Sequence, residues 1–186
     1  MKKIKVLVCS LFLSIFSIYS QSPLETEYFN QLNIYRKQHG LGPLKYDTEV
    51  SGVARYHAKY LVQCSNLNHV IHLDELPHDE QFDLKDHREL NFEQRAAMVP
   101  RKNIWGEIQI AFFIKNKNAA ISDIAKGFID SFDKSPKHKE IMLCEDVSSE
   151  FTNIVGVAIV KSEKKTGDND VYSINVDFGV LINQVK

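Results

Sequence analysis

The sequence predicts a single α+β domain in which amphipathic helices are combined with a small antiparallel sheet. Apolar residues recur at helical spacing from Leu24 to Gln38 and again after Asp47. Two β-branched segments near the C-terminus, Phe151–Lys161 and Val171–Ile182, flank a polar turn and indicate a β-hairpin. No internal repeat or low-complexity linker interrupts the chain, so one domain is expected.

The N-terminal segment is typical of an export signal. Three lysines (Lys2, Lys3 and Lys5) precede an apolar run over Val6–Ile18, and small residues follow up to Ser20. The prediction is a signal peptide over residues 1–20 and a secreted or periplasmic domain over 21–186, with no membrane span after signal removal. A lipoprotein anchor at Cys9 is the alternative, but the apolar run before Cys9 is short and contains Lys5.

The charge of the chain argues against nucleic acid as a partner. Without the three lysines of the signal, 20 basic residues face 24 acidic ones, which is a net charge of −4. A mildly acidic, dispersed charge lacks the basic patch that phosphate backbones require. Hydrophobic residues make up 44% of the sequence, enough for a real core.

Two cysteines, Cys64 and Cys144, remain after signal removal. An even pair of cysteines in an exported protein predicts a disulfide. Both cysteines follow predicted helices, so the alternative is that they act as ligands and do not form a disulfide.

The second helix has a well-defined predicted buried face. Asp47 is its expected N-cap, and the face comprises Val50, Val53, Ala54, His57, Ala58 and Leu61. His57 is expected to be a buried histidine with a backbone partner, and a place in a cavity is the alternative.

A strand over Ile108–Ile114 and a helix over Ala119–Asp133 are predicted next. Pro136 cannot continue that helix, but it suits the first turn of a new one over Pro136–Leu143. Ser135 is the expected N-cap, with its hydroxyl bonded to backbone N–H groups. This break places His138 on a first helical turn at a fixed angle to the preceding helix.

The segment from Ser65 to Arg101 has little periodicity and is expected to be a long loop with a short helix around Phe92–Met98. It holds four of the seven histidines: His69, His72, His78 and His87. A solvated acidic loop is expected, and an extra metal site is the alternative.

Four features in sequence order carry a resemblance to a known family. They are Leu32–Arg36 followed by Gly42-Pro43-Leu44; a helix over Ala54–Leu61 with His69 eight residues beyond it; Gly106-Glu107; and Phe132–His138 ahead of Asn153–Val157. Together they resemble the CAP superfamily of cysteine-rich secretory proteins, antigen 5 and plant pathogenesis-related proteins. The likeness is greatest to the bacterial secreted branch and extends over roughly Leu24 to Val180.

The resemblance implies an α-β-α sandwich with a cavity lined by two histidines and acidic residues, which binds a divalent metal in several members. Matched by motif, the cavity residues are His69 (with His72 as the alternative), Glu107, Ser135 and His138. His69, Glu107 and His138 would suit zinc or another first-row ion. The alternative is that Glu107 hydrogen-bonds the histidines and only organises a polar cavity.

The sequence departs from the family pattern near these positions. Ser135 stands where many eukaryotic members have a second glutamate, Ile108 where asparagine usually follows Gly-Glu, and Phe132 where tryptophan is common. The function expected is binding of a ligand, a divalent metal or a protein partner, with no catalytic residue assigned. Two alternatives are a metal-dependent hydrolase or peptidase, with Glu107 as general base, and a lipid- or sterol-binding module.

Overall fold

The computed structural model describes residues 21–64, 83–84, 87–88, 91–114, 118–145, 152–162 and 170–181. The predicted signal peptide and the histidines at positions 69, 72 and 78 lie outside these ranges, as does the side chain of His87.

Five helices and six strands are present in the described part of the chain. The helices are α1 (Pro23–Gln38), α2 (Thr48–Cys64), α3 (Phe92–Ala96), α4 (Ile121–Asp133) and α5 (Pro136–Leu143). The strands are β1 (Lys45–Tyr46), β2 (Asp83–Leu84), β3 (His87–Arg88), β4 (Lys102–Ile114), β5 (Ile154–Lys161) and β6 (Asp170–Leu181).

Four of the strands form the main sheet, in the order β1-β5-β6-β4. The strands β5 and β6 pair antiparallel, which confirms the predicted hairpin, and β4 pairs antiparallel with the other edge of β6. The short β1 runs parallel to β5. The sequence did not predict β1, because a two-residue strand has no periodicity to detect.

Local capping sets the starts of α1 and α2. Ser22 and Glu25 form a reciprocal capping box at the start of α1. The Oδ1 atom of Asp47 accepts hydrogen bonds from the backbone N–H groups of Glu49 and Val50, both at 3.0 Å. The predicted N-cap of α2 is therefore confirmed.

The break between α4 and α5 also occurs where it was predicted. Ser135 occupies the N-cap position of α5 and Pro136 its first turn. The hydroxyl of Ser135 makes no cap hydrogen bond, so the predicted side-chain cap is wrong. The backbone carbonyl of Ser135 instead accepts the first helical bond, from the N–H of Lys139 at 2.9 Å. Pro136 fixes its own φ at a helical value, so the helix can begin without the side-chain bond.

The sheet separates two layers of helix and forms the α-β-α sandwich expected from the family resemblance. One face is apolar and packs against α1, α4 and α5 in the main core. The other face lies under α2, where Ala54 and Ala58 pack on Ala158. A Cβ at Gly156 would lie 2.4 Å from the backbone of α2, so glycine is required for this close approach. No helix in the described ranges is both long and apolar enough to span a membrane.

Candidate functional site

A polar cluster lies on the α2 side of the sheet, where β4 and β6 pair. Glu107 is directly opposite Asp177, and Gln109 is directly opposite Asn175. Directly opposed residues of antiparallel strands have Cβ atoms about 5 Å apart. The register therefore brings two carboxyl groups together in a nearly closed environment.

Arg95 on α3 holds the carboxylate of Glu107. Its Nη2 atom lies 2.8 Å from Oε1 and 2.8 Å from Oε2, so one nitrogen is shared equally by both oxygens. The Arg95 side chain is only 3% exposed and that of Glu107 only 10%. A capping box between Asn91 and Gln94 begins α3 and fixes the direction from which Arg95 approaches.

The amide of Asn175 bridges the two carboxyl groups. Its Nδ2 atom donates to Oε2 of Glu107 at 3.3 Å and to Oδ1 of Asp177 at 3.2 Å. Asn175 is fully buried, so this amide makes its bonds without competition from bulk water.

Asp177 is a buried acid with a strongly perturbed environment. Burial raises the pKa of its carboxyl group well above the usual range, and the negative charge of Glu107 raises the pKa further. The Oδ2 atom of Asp177 accepts no hydrogen bond within the described part of the chain. Burial and the neighbouring Glu107 therefore both raise the pKa of Asp177 and favour the neutral form of its carboxyl group.

His57 closes the cluster from the α2 side. It is buried, as predicted, and its Nε2 atom lies 2.5 Å from Oε1 of Gln109 and 3.8 Å from Oε1 of Glu107. Its ring stacks on Tyr60 with the ring centroids 6.2 Å apart. The partner seen here is the side chain of Gln109, whereas a backbone partner was expected.

An open cavity of about 540 Å³ lies beside this cluster, between α3, β4 and α5. Its lining consists of Asn91 at the N-cap of α3, Phe92 and Glu93 on α3, Trp105, Gly106 and Glu107 on β4, and Ile141 on α5. A Cβ at Gly106 would lie 3.0 Å from Cγ2 of Ile141, so the glycine of the Gly-Glu pair lets α5 pack close to the strand. A register irregularity between Ile104 and Gly106 occurs at Trp105 in the cavity wall.

The other predicted site residues have different surroundings. His138 is half-buried on the first turn of α5, and its ring lies edge-on to Phe132 at 5.2 Å between centroids. His69 lies outside the described residues. Within the described residues, the side chain of Glu107 contacts Arg95, Asn175 and His57. The convergence of His69 and His138 on Glu107 stays a prediction.

Cys144 is a buried free thiol in this structure and lies at the C-cap of α5 with a φ of 57°. Its Sγ atom accepts a hydrogen bond from Nη1 of the buried Arg36 at 3.0 Å. The side chain of Cys64 lies outside the described residues, so a disulfide between the two cysteines stays a prediction.

The described donors do not fit a divalent metal. Among the described residues, no three His, Cys, Asp or Glu side chains are grouped so that they could hold an ion. Both carboxylate oxygens of Glu107 already accept hydrogen bonds from Arg95. A metal set containing His69 would draw on a residue outside the described ranges.

Sequence reasoning found Glu107 but missed Arg95, Asn175 and Asp177. The polar alternation along Ser173, Asn175 and Asp177 is typical of a strand with one solvated face. In the structure that face is covered by α2, and all three residues are at most 1% exposed. A signal did exist, because α2 carries alanine at positions 54 and 58 on its buried face, and such small side chains let a helix pack closely over a sheet face.

The fold and the site define a class: an α-β-α sandwich with a small open cavity beside the Gly-Glu pair of its edge strand. The family description "CAP: Cysteine-rich secretory protein family" matches residues 29–176, and the chain belongs to this family. The resemblance seen in the sequence is thereby confirmed.

Two solved bacterial structures are similar to this chain. An outer surface protein from Borrelia burgdorferi has 16% identity and a TM-score of 0.51, over 87% of this chain and 96% of that one. An extracellular protein containing an SCP domain from Bacillus anthracis has 16% identity and a TM-score of 0.43, over 81% of this chain and 39% of that one. No curated protein sequence matches the chain.

Proposed function

We propose that this chain is an exported CAP-domain binding protein, whose ligand occupies the open cavity between α3, β4 and α5. Export is supported by the signal-like segment over residues 1–20. It also agrees with the similarity of the fold to a Borrelia protein of the outer surface. The observation that carries the proposal is the cavity itself, whose aromatic and aliphatic walls lie beside Glu107 of the buried ion pair.

The lining of the cavity favours an amphipathic ligand. Phe92, Trp105 and Ile141 supply an aromatic and aliphatic surface, which binds an apolar body by excluding water. Asn91 and Glu93 are exposed at its α3 side and offer hydrogen-bonding groups for a polar end. A lipid, a small molecule or an apolar side chain of a protein partner has this chemistry.

The state of Glu107 supports binding over hydrolysis. A general base must have a carboxylate oxygen free to accept a proton from water. In Glu107 both oxygens accept hydrogen bonds from Arg95, and Oε2 also accepts one from Asn175. The alternative of a metal-dependent hydrolase therefore gains no support from the arrangement of these residues.

Intrinsic fluorescence tests the proposal directly, because Trp105 is the only tryptophan in the sequence. The probe is 1-anilinonaphthalene-8-sulfonate, an amphipathic dye with an apolar ring system. We expect saturable quenching of Trp105 emission in the wild-type chain. In Ile141→Asp, which places a charge in the cavity wall, dye affinity should fall by about tenfold or more.

A matched control separates cavity binding from general surface binding. Ile34 lies on α1 and is 56% exposed, so Ile34→Asp introduces the same charge at a distant apolar site. Its dye affinity should equal that of the wild type. Equal binding by Ile141→Asp and wild type would contradict the proposal.

Native mass spectrometry of the protein purified from its own host identifies the natural occupant. A bound mass lost in Ile141→Asp but retained in Ile34→Asp would support the cavity as the site. A lipid, a metal and a second protein chain differ in mass and are distinguished in the same spectrum.

A further inference from the structure

We infer that the guanidinium of Arg95 takes the place of a divalent cation at Glu107, so that this chain does not use Glu107 to bind a metal. The inference concerns the ion pair alone and stands whether or not the neighbouring cavity binds a ligand.

The geometry of the pair is that of a chelated cation. Nη2 of Arg95 is equidistant, at 2.8 Å, from both carboxylate oxygens of Glu107. A metal held by a bidentate carboxylate occupies the same position on the bisector between the oxygens, at a shorter distance. An ion could reach this position only after Arg95 had moved away.

Displacement of Arg95 is opposed by its burial. The side chain of Arg95 is only 3% exposed. A guanidinium displaced from this position would lose its bonds to the carboxylate of Glu107 without becoming fully hydrated. An uncompensated buried charge is strongly unfavourable. The short helix that carries Arg95 is also anchored, because Phe92 and Ala96 pack against a cluster that includes Val53 and Val99.

The charges of the cluster are already balanced. Arg95 contributes one positive charge and Glu107 one negative charge, and the two groups lie 2.8 Å apart as a buried pair. Asn175 satisfies the remaining lone pair of Oε2 of Glu107 with an amide N–H. A divalent ion in place of Arg95 would leave one excess positive charge at this largely buried carboxylate.

Zinc titration by calorimetry of the full wild-type chain and of Glu107→Gln tests the inference. If the wild type binds zinc, Glu107→Gln should bind it with the same affinity within about twofold, because the zinc ligands are then other residues. If neither protein binds zinc, the inference is equally supported. A loss of about tenfold or more in Glu107→Gln, with an unchanged circular dichroism spectrum, would overturn the inference.

A second measurement does not depend on the folding of Glu107→Gln. In ¹⁵N spectra of the wild-type chain, the Nη signals of Arg95 should be resolved, since the guanidinium is buried and bonded. They are assigned by their absence in Arg95→Lys. One equivalent of zinc should leave these signals unchanged. Their shift or loss on addition of zinc would show that the metal displaces Arg95 and would overturn the inference.

Discussion

The two faces of β6 bury their side chains to the same degree but use opposite chemistry. Ile174, Val176 and Phe178 are fully buried on one face, where they pack in the main hydrophobic core. Asn175 and Asp177 are at most 1% exposed on the other face, among hydrogen-bonding groups. The apolar face is stabilised by the apolar surface area that folding removes from water. The polar face is stable only to the extent that its buried polar groups are hydrogen-bonded.

This difference predicts different responses to substitution. On the apolar face, the loss of unfolding free energy should scale with the side-chain volume removed. On the polar face, that loss should depend on which hydrogen-bonding partner is left unpaired. Four variants test the contrast, from the largest expected effect to the smallest.

The largest loss is expected from Phe178→Ala on the apolar face. Phe178 is fully buried and lies 6.2 Å from Trp105 between ring centroids. Removal of a buried phenylalanine ring costs about 3–5 kcal/mol of unfolding free energy. Urea unfolding at neutral pH measures the loss. A change below about 1 kcal/mol would show that this face is not packed as described.

The next loss is expected from Arg95→Met, which breaks the buried ion pair and leaves Glu107 charged. Breaking one partner of a buried pair costs about 3 kcal/mol or more. The double variant Arg95→Met, Glu107→Gln should recover part of this loss, because no unpaired charge then remains. Losses that simply add in the double variant would show that the two side chains are not coupled.

Asp177→Asn should increase stability, and the gain should depend on pH. The unfolded state releases the Asp177 proton around pH 4, whereas the folded state retains it because burial and Glu107 raise the pKa. The folded state therefore binds more protons above that pH, and the wild type loses stability as the pH rises through this window. Asparagine is neutral at every pH, so the variant should equal the wild type at low pH and exceed it near neutrality. Urea unfolding at several pH values checks the trend, and a parallel pH dependence of the two proteins would contradict it.

The smallest effect is expected from an exposed ion pair away from both faces. Lys126 and Asp130 are one helical turn apart on α4, with side chains 65% and 49% exposed. Lys126→Met should change the unfolding free energy by no more than about 0.5 kcal/mol. This variant is the matched control for Arg95→Met, because both replace a paired cation with methionine and differ in burial.

The sequence was sufficient to predict elements whose signal is local. The buried face of α2, the bounds of α5 and the β5–β6 hairpin were all predicted correctly, because periodicity and turn residues lie within each segment. Phe151–Lys161 and Val171–Ile182 differ from the observed strands by only a few residues at their ends.

The polar cluster could not be predicted, because its contacts are between distant segments. Asn175 contacts Glu107, which lies 68 positions earlier in the sequence, and nothing in either segment identifies the other. A buried polar strand face has the same alternating pattern as a solvated one, so Asp177 resembled a surface residue. Glu107 was found through the family resemblance, while its actual partner, Arg95, lies in a segment without clear periodicity.

The buried Arg36 has a consequence for the wall of the cavity. Its guanidinium donates to the carbonyl of Met142 at 2.7 Å and to that of Gly42 at 3.1 Å, so a positive charge from α1 lies at the carboxyl end of α5. The dipole of a helix has its negative pole at that end, where an interior cation is strongly favourable. The orientation of α5 is thus set electrostatically at one end and by the ring of Pro136 at the other. Ile141 lies between these two anchors, so the α5 wall of the cavity is held at both ends.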